Sequence, residues 1–202
     1  MIRRRLVIAS GNEGKVREFR SILAEVPLDV VSLRQFPNII AVPETGTSFS
    51  ENAILKATGY ARQTRLLTLA DDSGLEIEAL ENRPGAFSAR YGGEQSSFEE
   101  KMAAILEELN AADDPHRRAR FVCAITLADS DGGVLFTAEG ICTGTIASEP
   151  RGTGGFGYDP IFIPEGFPMT FGELDGLIKQ QISHRAQASA KIMRYLQGFC
   201  ED

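Results

Sequence analysis

Apolar and polar residues alternate in two different periods along the first third of the chain. The run at 4–10 is β-rich, and apolar residues then recur at helical spacing over 16–26. A second β-rich run at 28–33 precedes another helical pattern over 49–60, and the chain returns to strand character at 66–71. The pattern therefore predicts the order β-α-β-α-β.

The rest of the chain predicts a helix followed by antiparallel strands. Apolar residues over 98–109 follow one helical face, and 119–129 alternates in the period of a strand. The turn Ser-Asp-Gly-Gly and a second run at 134–146 indicate a hairpin, and IFIP (161–164) is a short strand that a proline ends. A helical pattern over 182–196 completes an α/β fold, with an elongated mixed β-sheet flanked by helices.

Composition and charge narrow the class of protein. A chain of 202 residues that is 43% hydrophobic can bury the core of a single domain over 1–202. Its net charge of -7 disfavours nucleic acids and anionic membranes as partners. The three cysteines, Cys123, Cys142 and Cys200, are widely separated, which favours reduced thiols that fill space. The first apolar run is too short for a signal peptide, so we expect a cytoplasmic protein.

The segment SGNEGK lies where the first predicted strand turns into the first predicted helix. Backbone N–H groups at a helix N-terminus attract phosphate, and the lysine adds a cation. The Walker A pattern is not met, because Ala9 and Val16 stand where that motif has a glycine and a hydroxyl residue. A glycine turn with a solvated lysine is the alternative. The candidate phosphate contacts are Ser10, Gly11, Asn12, Glu13, Gly14 and Lys15.

Two adjacent carboxylates, Asp71 and Asp72, end the third predicted strand, and Gly74 would let the chain turn behind them. Such a pair is unfavourable unless solvent, hydrogen bonds or a cation compensates the repulsion. One interpretation is an Asx-turn. The other is a Mg²⁺ site, because Mg²⁺ is held by one or two carboxylates together with substrate phosphates. Glu44, which has no local capping role, would supply the second carboxylate.

The glycine-rich segment GTGGFGYDP (152–160) is a candidate base-binding loop. Its backbone can approach a ligand closely, and Phe156 and Tyr158 offer rings on which a base could stack beside Asp159. The alternative is a tight loop whose aromatic rings fill the core.

Cationic residues in two other segments could complete a nucleotide pocket. Lys179, His184 and Arg185 can donate to phosphates or to the carbonyl oxygens of a base. Asn52 and Lys56 share a helical face, and they either point together into a cleft or form a solvated pair. The conjunction of these groups with a metal site predicts a pocket for a nucleoside triphosphate.

The sequence resembles the inosine triphosphatase family of non-standard purine nucleoside triphosphate pyrophosphatases over nearly its whole length. Six blocks in the family's order carry the resemblance: SGNEGKVREF, ETGTSFSENAILKA, ADDSGLEIEAL, PGAFSARYGG, GTGGFGYDPIF and ISHRAQA. The family fold is an elongated α/β structure of two lobes around a long mixed sheet, with a nucleotide cleft between them. The resemblance also implies a homodimer and Mg²⁺-dependent cleavage of ITP, dITP and XTP into a nucleoside monophosphate and pyrophosphate, which removes deaminated purines from the nucleotide pool.

The same resemblance assigns roles to individual residues. It implies that Glu44 and Asp72 bind the metal and that Asp72 is also the catalytic proton acceptor. It implies substrate contacts at Ser10, Gly11, Asn12, Glu13, Gly14, Lys15, Lys56, Ser73, Phe156, Gly157, Tyr158, Asp159, Lys179, His184 and Arg185. It leaves open whether Asp71 also binds the metal.

Two positions depart from the family pattern. The family often has threonine at Ser10, and serine keeps the hydroxyl. Many members carry an acidic residue where Ile178 precedes Lys179, which leaves the helix register at this lysine open.

Three other functions are alternatives to that of the family. A Maf-like pyrophosphatase for pyrimidine or modified nucleotides is disfavoured by the blocks GGFGYDP and SHR. A nucleotide sensor without turnover would not need the paired carboxylates Glu44 and Asp72. A nucleic-acid-binding module is disfavoured by the acidic net charge.

Overall fold

A computed structural model describes residues 4–93 and 95–201, the last three by their backbone only. The strands are β1 Arg5–Ile8, β2 Asp29–Ser32, β3 Leu67–Ile77, β4 Arg83–Pro84, β5 Arg118–Ala128, β6 Val134–Ile146 and β7 Phe162–Pro164. The α-helices are α1 Glu13–Ile22, α2 Phe49–Thr64, α3 Phe98–Ala112, α4 Gly176–Ile182 and α5 His184–Glu201. Short 3₁₀ turns lie at Leu33–Gln35, Glu78–Leu80, Gly85–Phe87 and Asp159–Ile161. The predicted β-α-β-α-β start and the later hairpin are confirmed.

The seven strands form one mixed sheet, in the order β2-β1-β3-β5-β6-β7 with β4 beside β3. β1 is parallel to both β2 and β3, while β4 is antiparallel to β3 and β7 is antiparallel to β6. The expected mixed sheet flanked by helices is therefore confirmed. The elongated shape and the cleft between two lobes stay predictions.

The chain divides into two compact units. Unit 1 contains the described residues of Met1–Asp72, Cys123–Gly140 and Arg185–Asp202, and unit 2 contains those of Ser73–Val122 and Ile141–His184. The division falls within β3, β5 and β6, so these strands contribute residues to both units. The single domain over 1–202 stays a prediction.

Each unit has its own apolar core. In unit 1, Val16 and Phe19 of α1 pack with strand residues and with α5. The α5 contribution comes from Ala188, Ile192 and Leu196, spaced four residues apart on one helical face. In unit 2, α3 packs its buried stripe against β3, β5 and β7, and the buried members of this core are Leu75, Ile77, Leu80, Met102, Ile105, Leu109, Ala119, Phe121, Cys142, Ile146, Tyr158, Ile161, Phe162, Phe171 and Leu174.

Two local expectations were wrong. The chain does not turn after the aspartate pair, since β3 continues through Asp72 and Gly74 to Ile77. A Cβ at Gly74 would overlap with the Ser88 hydroxyl, whose oxygen accepts from the Leu75 N–H at 2.9 Å. This glycine therefore permits a close crossing of two segments rather than a turn. The C-terminal helical pattern is interrupted at Ser183, and Ile182 ends the separate helix α4.

Two cysteines belong to the cores, Cys123 in unit 1 and Cys142 in unit 2. Cys123 and Cys142 are buried free thiols, and burial raises the pKa of Cys142 to about 11. The side chain of Cys200 lies outside the described residues. In the part of the chain that the structure describes, no helix has the length and apolar character needed to cross a membrane.

Candidate active site

The two adjacent aspartates of β3 have different partners in unit 1. Successive side chains of a strand point to opposite faces of a sheet, so a continuous β3 separates the two carboxylates. Asp72 contacts α2, whereas Asp71 contacts the first turns of α1 and α5. Both carboxylates are buried, at 2% exposure for Asp71 and 7% for Asp72.

Asp72 belongs to a group in which two carboxylates share one ammonium. Its Oδ1 accepts from Lys56 Nζ at 2.8 Å, and its Oδ2 accepts from Asn52 Nδ2 at 3.2 Å. The same Lys56 Nζ lies 3.1 Å from Glu44 Oε1. The Oδ1 atom of Asn52 accepts a hydrogen bond from the Gly46 N–H. This bond fixes the Asn52 side chain and holds the segment that contains Glu44 against α2. The i,i+4 spacing of Asn52 and Lys56 thus brings both side chains to one carboxylate.

Negative charge is in surplus around Lys56. Burial raises the pKa of Asp72, and the nearby lysines Lys56 and Lys15 only partly offset this. Burial would lower the pKa of Lys56, but Asp72, Asp71 and Glu44 outweigh it, so that pKa is raised. The shift of Asp72 thus comes mainly from burial, whereas that of Lys56 comes from the three carboxylates around it. A further cation at this position would relieve the imbalance.

The residues at Lys56 fit Mg²⁺ by the chemistry of their donors. Glu44 and Asp72 offer hard carboxylate oxygens, and each lies about 3 Å from the same Nζ. Among residues 4–93 and 95–201, no group of three or more histidine, cysteine, aspartate or glutamate side chains is arranged around a common metal position. A metal held here would therefore need further ligands such as substrate oxygens or water, which is the usual situation for Mg²⁺.

Asp71 is paired with two cations. Its Oδ2 lies 2.9 Å from Lys15 Nζ and 3.3 Å from Arg185 Nη2, and the Cys123 thiol contacts the same oxygen at 3.9 Å. Burial would raise the pKa of this carboxyl, but Lys15, Arg185 and Lys56 hold it well below its usual range. Burial and the Asp71 charge raise the pKa of the Cys123 thiol to about 12. Asp71 is therefore ionised and Cys123 is a neutral thiol at neutral pH.

The predicted phosphate loop is an ordered helix start. Asn12 caps α1 by accepting from the N–H groups of Gly14 and Lys15, at 2.8 and 3.3 Å. The Ser10 hydroxyl accepts from the Asn12 N–H at 3.1 Å. Because Lys15 pairs with Asp71, the alternative of a solvated lysine is wrong. Glu13, by contrast, is exposed and pairs with Arg34.

The glycine loop of unit 2 is held by a buried ion pair. Asp159 Oδ2 accepts from Lys179 Nζ at 2.6 Å and from the Phe156 N–H at 2.7 Å. Lys179 Nζ also lies 4.6 Å from the centre of the Phe156 ring, a cation–π contact. Ile178 packs on the unit 2 core, which settles the helix register and leaves Lys179 facing Asp159.

The two aromatic residues of this loop divide the predicted roles between them. Tyr158 fills the core at 3% exposure, and its hydroxyl donates to the Ser88 carbonyl at 2.8 Å. Burial raises the pKa of this phenol. Phe156 is half-buried, so it is the ring of the pair with an accessible surface for stacking. His184 is also a core residue of unit 2, stacked on Phe121 with 4.7 Å between ring centres.

The remaining predicted substrate contacts lie close to these groups in sequence. Gly11 is exposed, and Gly157 and Ser73 are half-buried. Arg185 belongs to unit 1, where it is buried against Asp71 and Glu18. Unit 2 also contains a cavity of about 760 Å³ near Glu76, Arg120 and Thr143, and none of the predicted site residues lines it.

Gly155 provides a test of the loop geometry. It has φ of +72°, and a Cβ there would overlap with Asp159 Oδ2. Gly155→Ala is expected to lower the free energy of unfolding by about 1–2 kcal/mol for the left-handed backbone and by about 1–3 kcal/mol more for the overlap. Gly166→Ala is the matched control, because Gly166 has φ of +85° and no atom within 4 Å of a Cβ. Equal losses for the two variants in urea unfolding would contradict the close packing of Asp159.

Sequence reasoning missed two partners of the predicted residues, Glu18 and Ser88. Asn52, by contrast, was paired with Lys56 by its helical spacing. Glu18 and Ser88 had no local signal, since Glu18 contacts Arg185 across 167 positions and the Ser88 carbonyl accepts a hydrogen bond from the Tyr158 hydroxyl across 70. Such long-range contacts depend on the fold rather than on local spacing.

Comparison with known proteins gives matches over nearly the whole chain. The model of the Ham1 family matches residues 6–195. A protein of Desulforamulus reducens named dITP/XTP pyrophosphatase is 45% identical, over 95% of each chain. The structure of a HAM1 protein from Coxiella burnetii superposes with a TM-score of 0.89 at 41% identity, covering 96% of this chain and 99% of the other. The Ham1 protein of Staphylococcus aureus gives 0.85 at 39% identity, covering 96% and 99%.

These matches confirm the family resemblance that the six sequence blocks indicated. They extend over both units, and two of the similar chains have solved structures with the same fold. This chain therefore belongs to the Ham1 family.

Proposed function

We propose that this chain is a nucleoside triphosphate pyrophosphatase, which hydrolyses ITP, dITP and XTP to the nucleoside monophosphate and pyrophosphate. The observation that carries the proposal is the surplus of negative charge around Lys56, where the buried Asp72 and the partly exposed Glu44 share one ammonium. A metal-bound triphosphate suits such a site. A similar chain of the same family is named dITP/XTP pyrophosphatase, which supports this class of substrate.

In this proposal Glu44 and Asp72 hold Mg²⁺. When bound, the ion neutralises phosphate charge and polarises the phosphoanhydride that is cleaved. Lys56 lies between the two carboxylates and keeps them close together before the ion arrives. Asn52 fixes the rotamer of Asp72 through its Nδ2 donor.

The chain's own groups supply positioning and charge. Lys15 and Lys56 face the negative charge of the triphosphate, while Asp72 orients the attacking water and accepts its proton. The water oxygen bonds to the α-phosphorus, the α-β bridging bond breaks, and pyrophosphate leaves. Because phosphoryl transfer needs little covalent help from the protein, positioning and electrostatics supply most of the rate.

We assign recognition of the purine base to residues of unit 2. Phe156 offers its accessible face to the purine, and its orientation is set by the hydrogen bond to Asp159 and by Lys179. Hydrogen-bond donors at this site, for which the sequence suggests His184, pair with the 6-oxo group of the purine. The amine of adenine would leave these donors unpaired. We therefore expect ITP to be preferred over ATP by on the order of 10²-fold in kcat/KM.

The test is a substrate panel of ITP, dITP, XTP, GTP, ATP and dTTP with Mg²⁺, in which pyrophosphate and orthophosphate are measured separately. Pyrophosphate from ITP, dITP and XTP with little from the others is the expected result. Orthophosphate as the first product would exclude α-β cleavage. Preferred turnover of dTTP would favour the Maf-like activity, and tight binding without turnover would favour a sensor.

We also infer a homodimer, which the family resemblance implies. Sedimentation of the purified chain at micromolar concentration should give about twice the mass of 202 residues. A single species of monomer mass at that concentration would contradict it.

A further inference from the structure

The block PGAFSARYGG (84–93) of unit 2 supplies none of the groups that bind substrate in the proposed function. It begins in β4, which pairs with β3, and continues through the 3₁₀ turn Gly85–Phe87. Two successive carbonyl groups after this turn, those of Ser88 and Ala89, accept hydrogen bonds from side chains. After the turn, this 84–93 block is therefore held by donors from other segments of the unit.

Lys101 of α3 is a buried cation that donates to the 84–93 block. Its Nζ lies 2.8 Å from the Ala89 carbonyl oxygen and 4.9 Å from the centre of the Phe98 ring, and the residue is 4% exposed. It belongs to the first turn of α3, whose start is fixed by a capping box of Ser97 and Glu100. Burial and the positive end of the helix dipole both oppose a cation at this place. The carbonyl and the ring offset these costs.

Ser88 joins the 84–93 block to two other segments of unit 2. Its hydroxyl oxygen accepts from the Leu75 N–H of β3 at 2.9 Å and donates to the Gly85 carbonyl at 2.7 Å. Its own carbonyl accepts from the Tyr158 hydroxyl of the glycine loop at 2.8 Å. One buried residue thus contacts both β3 and the glycine loop.

The first turn of α3 also contacts the glycine loop directly. The rings of Phe98 and Tyr158 meet edge to face, with 5.4 Å between their centres. A Cβ at Gly157 would lie 3.5 Å from Phe98 Cε1. A shift of this turn would therefore displace Tyr158, which stands two residues after Phe156.

We propose that Lys101 and Ser88 are positioning residues for recognition of the purine base, which hold the glycine loop in place through the Tyr158 hydroxyl. The inference rests on the proposed function, because it assigns the base to Phe156 of this loop. A loop that is fixed before the substrate binds avoids part of the entropy loss of ordering. A glycine-rich loop has the most to lose, since glycine has the largest backbone freedom.

Lys101→Met tests the contact between α3 and the 84–93 block. Methionine has a similar length but no donor, so the Ala89 carbonyl loses its partner. We expect kcat/KM for ITP to fall about 10-fold and the preference for ITP over ATP to fall about threefold. Affinity for inorganic triphosphate with Mg²⁺ should stay within about twofold, because this ligand has no base. Lys101→Gln keeps a donor and should recover most of the loss, whereas an unchanged preference in Lys101→Met would overturn the proposal.

A double-mutant cycle with Tyr158→Phe tests the path through the hydroxyl. If Lys101 acts through the hydrogen bond between Tyr158 and Ser88, the double variant has the preference of Tyr158→Phe alone within about twofold. Multiplied losses would show that Lys101 acts by another route, and they would overturn the proposal. Ser88→Ala, which frees the 84–93 block from β3, is expected to show the same coupling.

Lys191→Met is the matched control. Lys191 also donates to a backbone carbonyl, that of Glu139 at 2.7 Å, but it belongs to α5 of unit 1. It should leave the preference for ITP over ATP unchanged. An equal loss in this variant would show that the preference responds to any lost lysine contact, and Lys101 would have no special role.

A binding measurement separates this inference from the proposed function. If no nucleotide yields pyrophosphate, the proposed function fails, and calorimetry with ITP and with inorganic triphosphate then decides the inference. Weaker binding of ITP by Lys101→Met, with unchanged binding of triphosphate, supports the positioning role without any turnover. Equal binding of ITP by Lys101→Met and by the unsubstituted chain overturns it, whether or not the chain hydrolyses ITP.

Discussion

Asp72→Asn is expected to lower kcat for dITP about 10³-fold at saturating Mg²⁺, with little change in thermal stability. Asparagine keeps the size of the side chain and can still contact Lys56 and Asn52, so the local structure should persist. It removes the negative charge that the proposed mechanism uses twice, for the metal and for the proton of the attacking water. The measurement is pyrophosphate release under initial-rate conditions.

A matched control distinguishes this loss from a general effect of charge. Asp131→Asn removes a carboxylate of the same unit that is 84% exposed and pairs only loosely with Arg65. It should leave kcat unchanged, because exposed ion pairs contribute little. Full turnover of Asp72→Asn would show that another carboxylate serves as the base, and the proposed mechanism would be wrong.

Periodicity predicted most of the fold because amphipathic elements record in sequence which face they bury. The helical spacing of Val16 and Phe19 and the hairpin around 129–133 are both local signals, and both are confirmed. The turn expected at Gly74 was wrong because glycine has two uses. Here it admits the Ser88 hydroxyl against β3, a contact between positions 14 residues apart.

The distinction between Asp71 and Asp72 could have been predicted from a continuous strand. Leu75 and Ile77 alternate with polar residues directly after the pair, which is the period of β3. Once the strand continues, strict alternation sends the two carboxylates to opposite faces. The identity of their partners could not be predicted, because Arg185 comes from α5, more than a hundred residues later.

The candidate site also shows that sequence motifs do not reveal contacts between distant segments. Sequence motifs placed Lys15, Glu44 and Lys56 near phosphate chemistry, and the structure brings all three to the carboxylates of β3. The motifs could not show that Arg185 is buried or that Tyr158 belongs to the core, since burial depends on packing from distant segments. Residues of one sequence motif can thus serve the site in different ways, by direct contact or by support of another residue.

Lys179→Met is expected to lower the free energy of unfolding by about 3–5 kcal/mol, because it leaves the carboxylate of Asp159 buried without its cation. Both side chains of this pair are nearly inaccessible, at 8% and 3% exposure. Asp159→Asn should cost less, since the Lys179 ammonium keeps cation–π contacts with Phe156 and Phe171 at 4.6 and 5.7 Å. Urea unfolding of both variants measures the asymmetry.

A double variant and a variant of an exposed ion pair test whether burial of the Lys179–Asp159 pair causes this loss. Lys179→Met with Asp159→Asn should destabilise less than the sum of the single changes, because no uncompensated carboxylate remains. Arg118→Met, in a pair with Glu78 that is 64% and 68% exposed, should produce no measurable change. If Lys179→Met were as mild as Arg118→Met, the ion pair would not hold the glycine loop, and Phe156 would need another support for its place against the base.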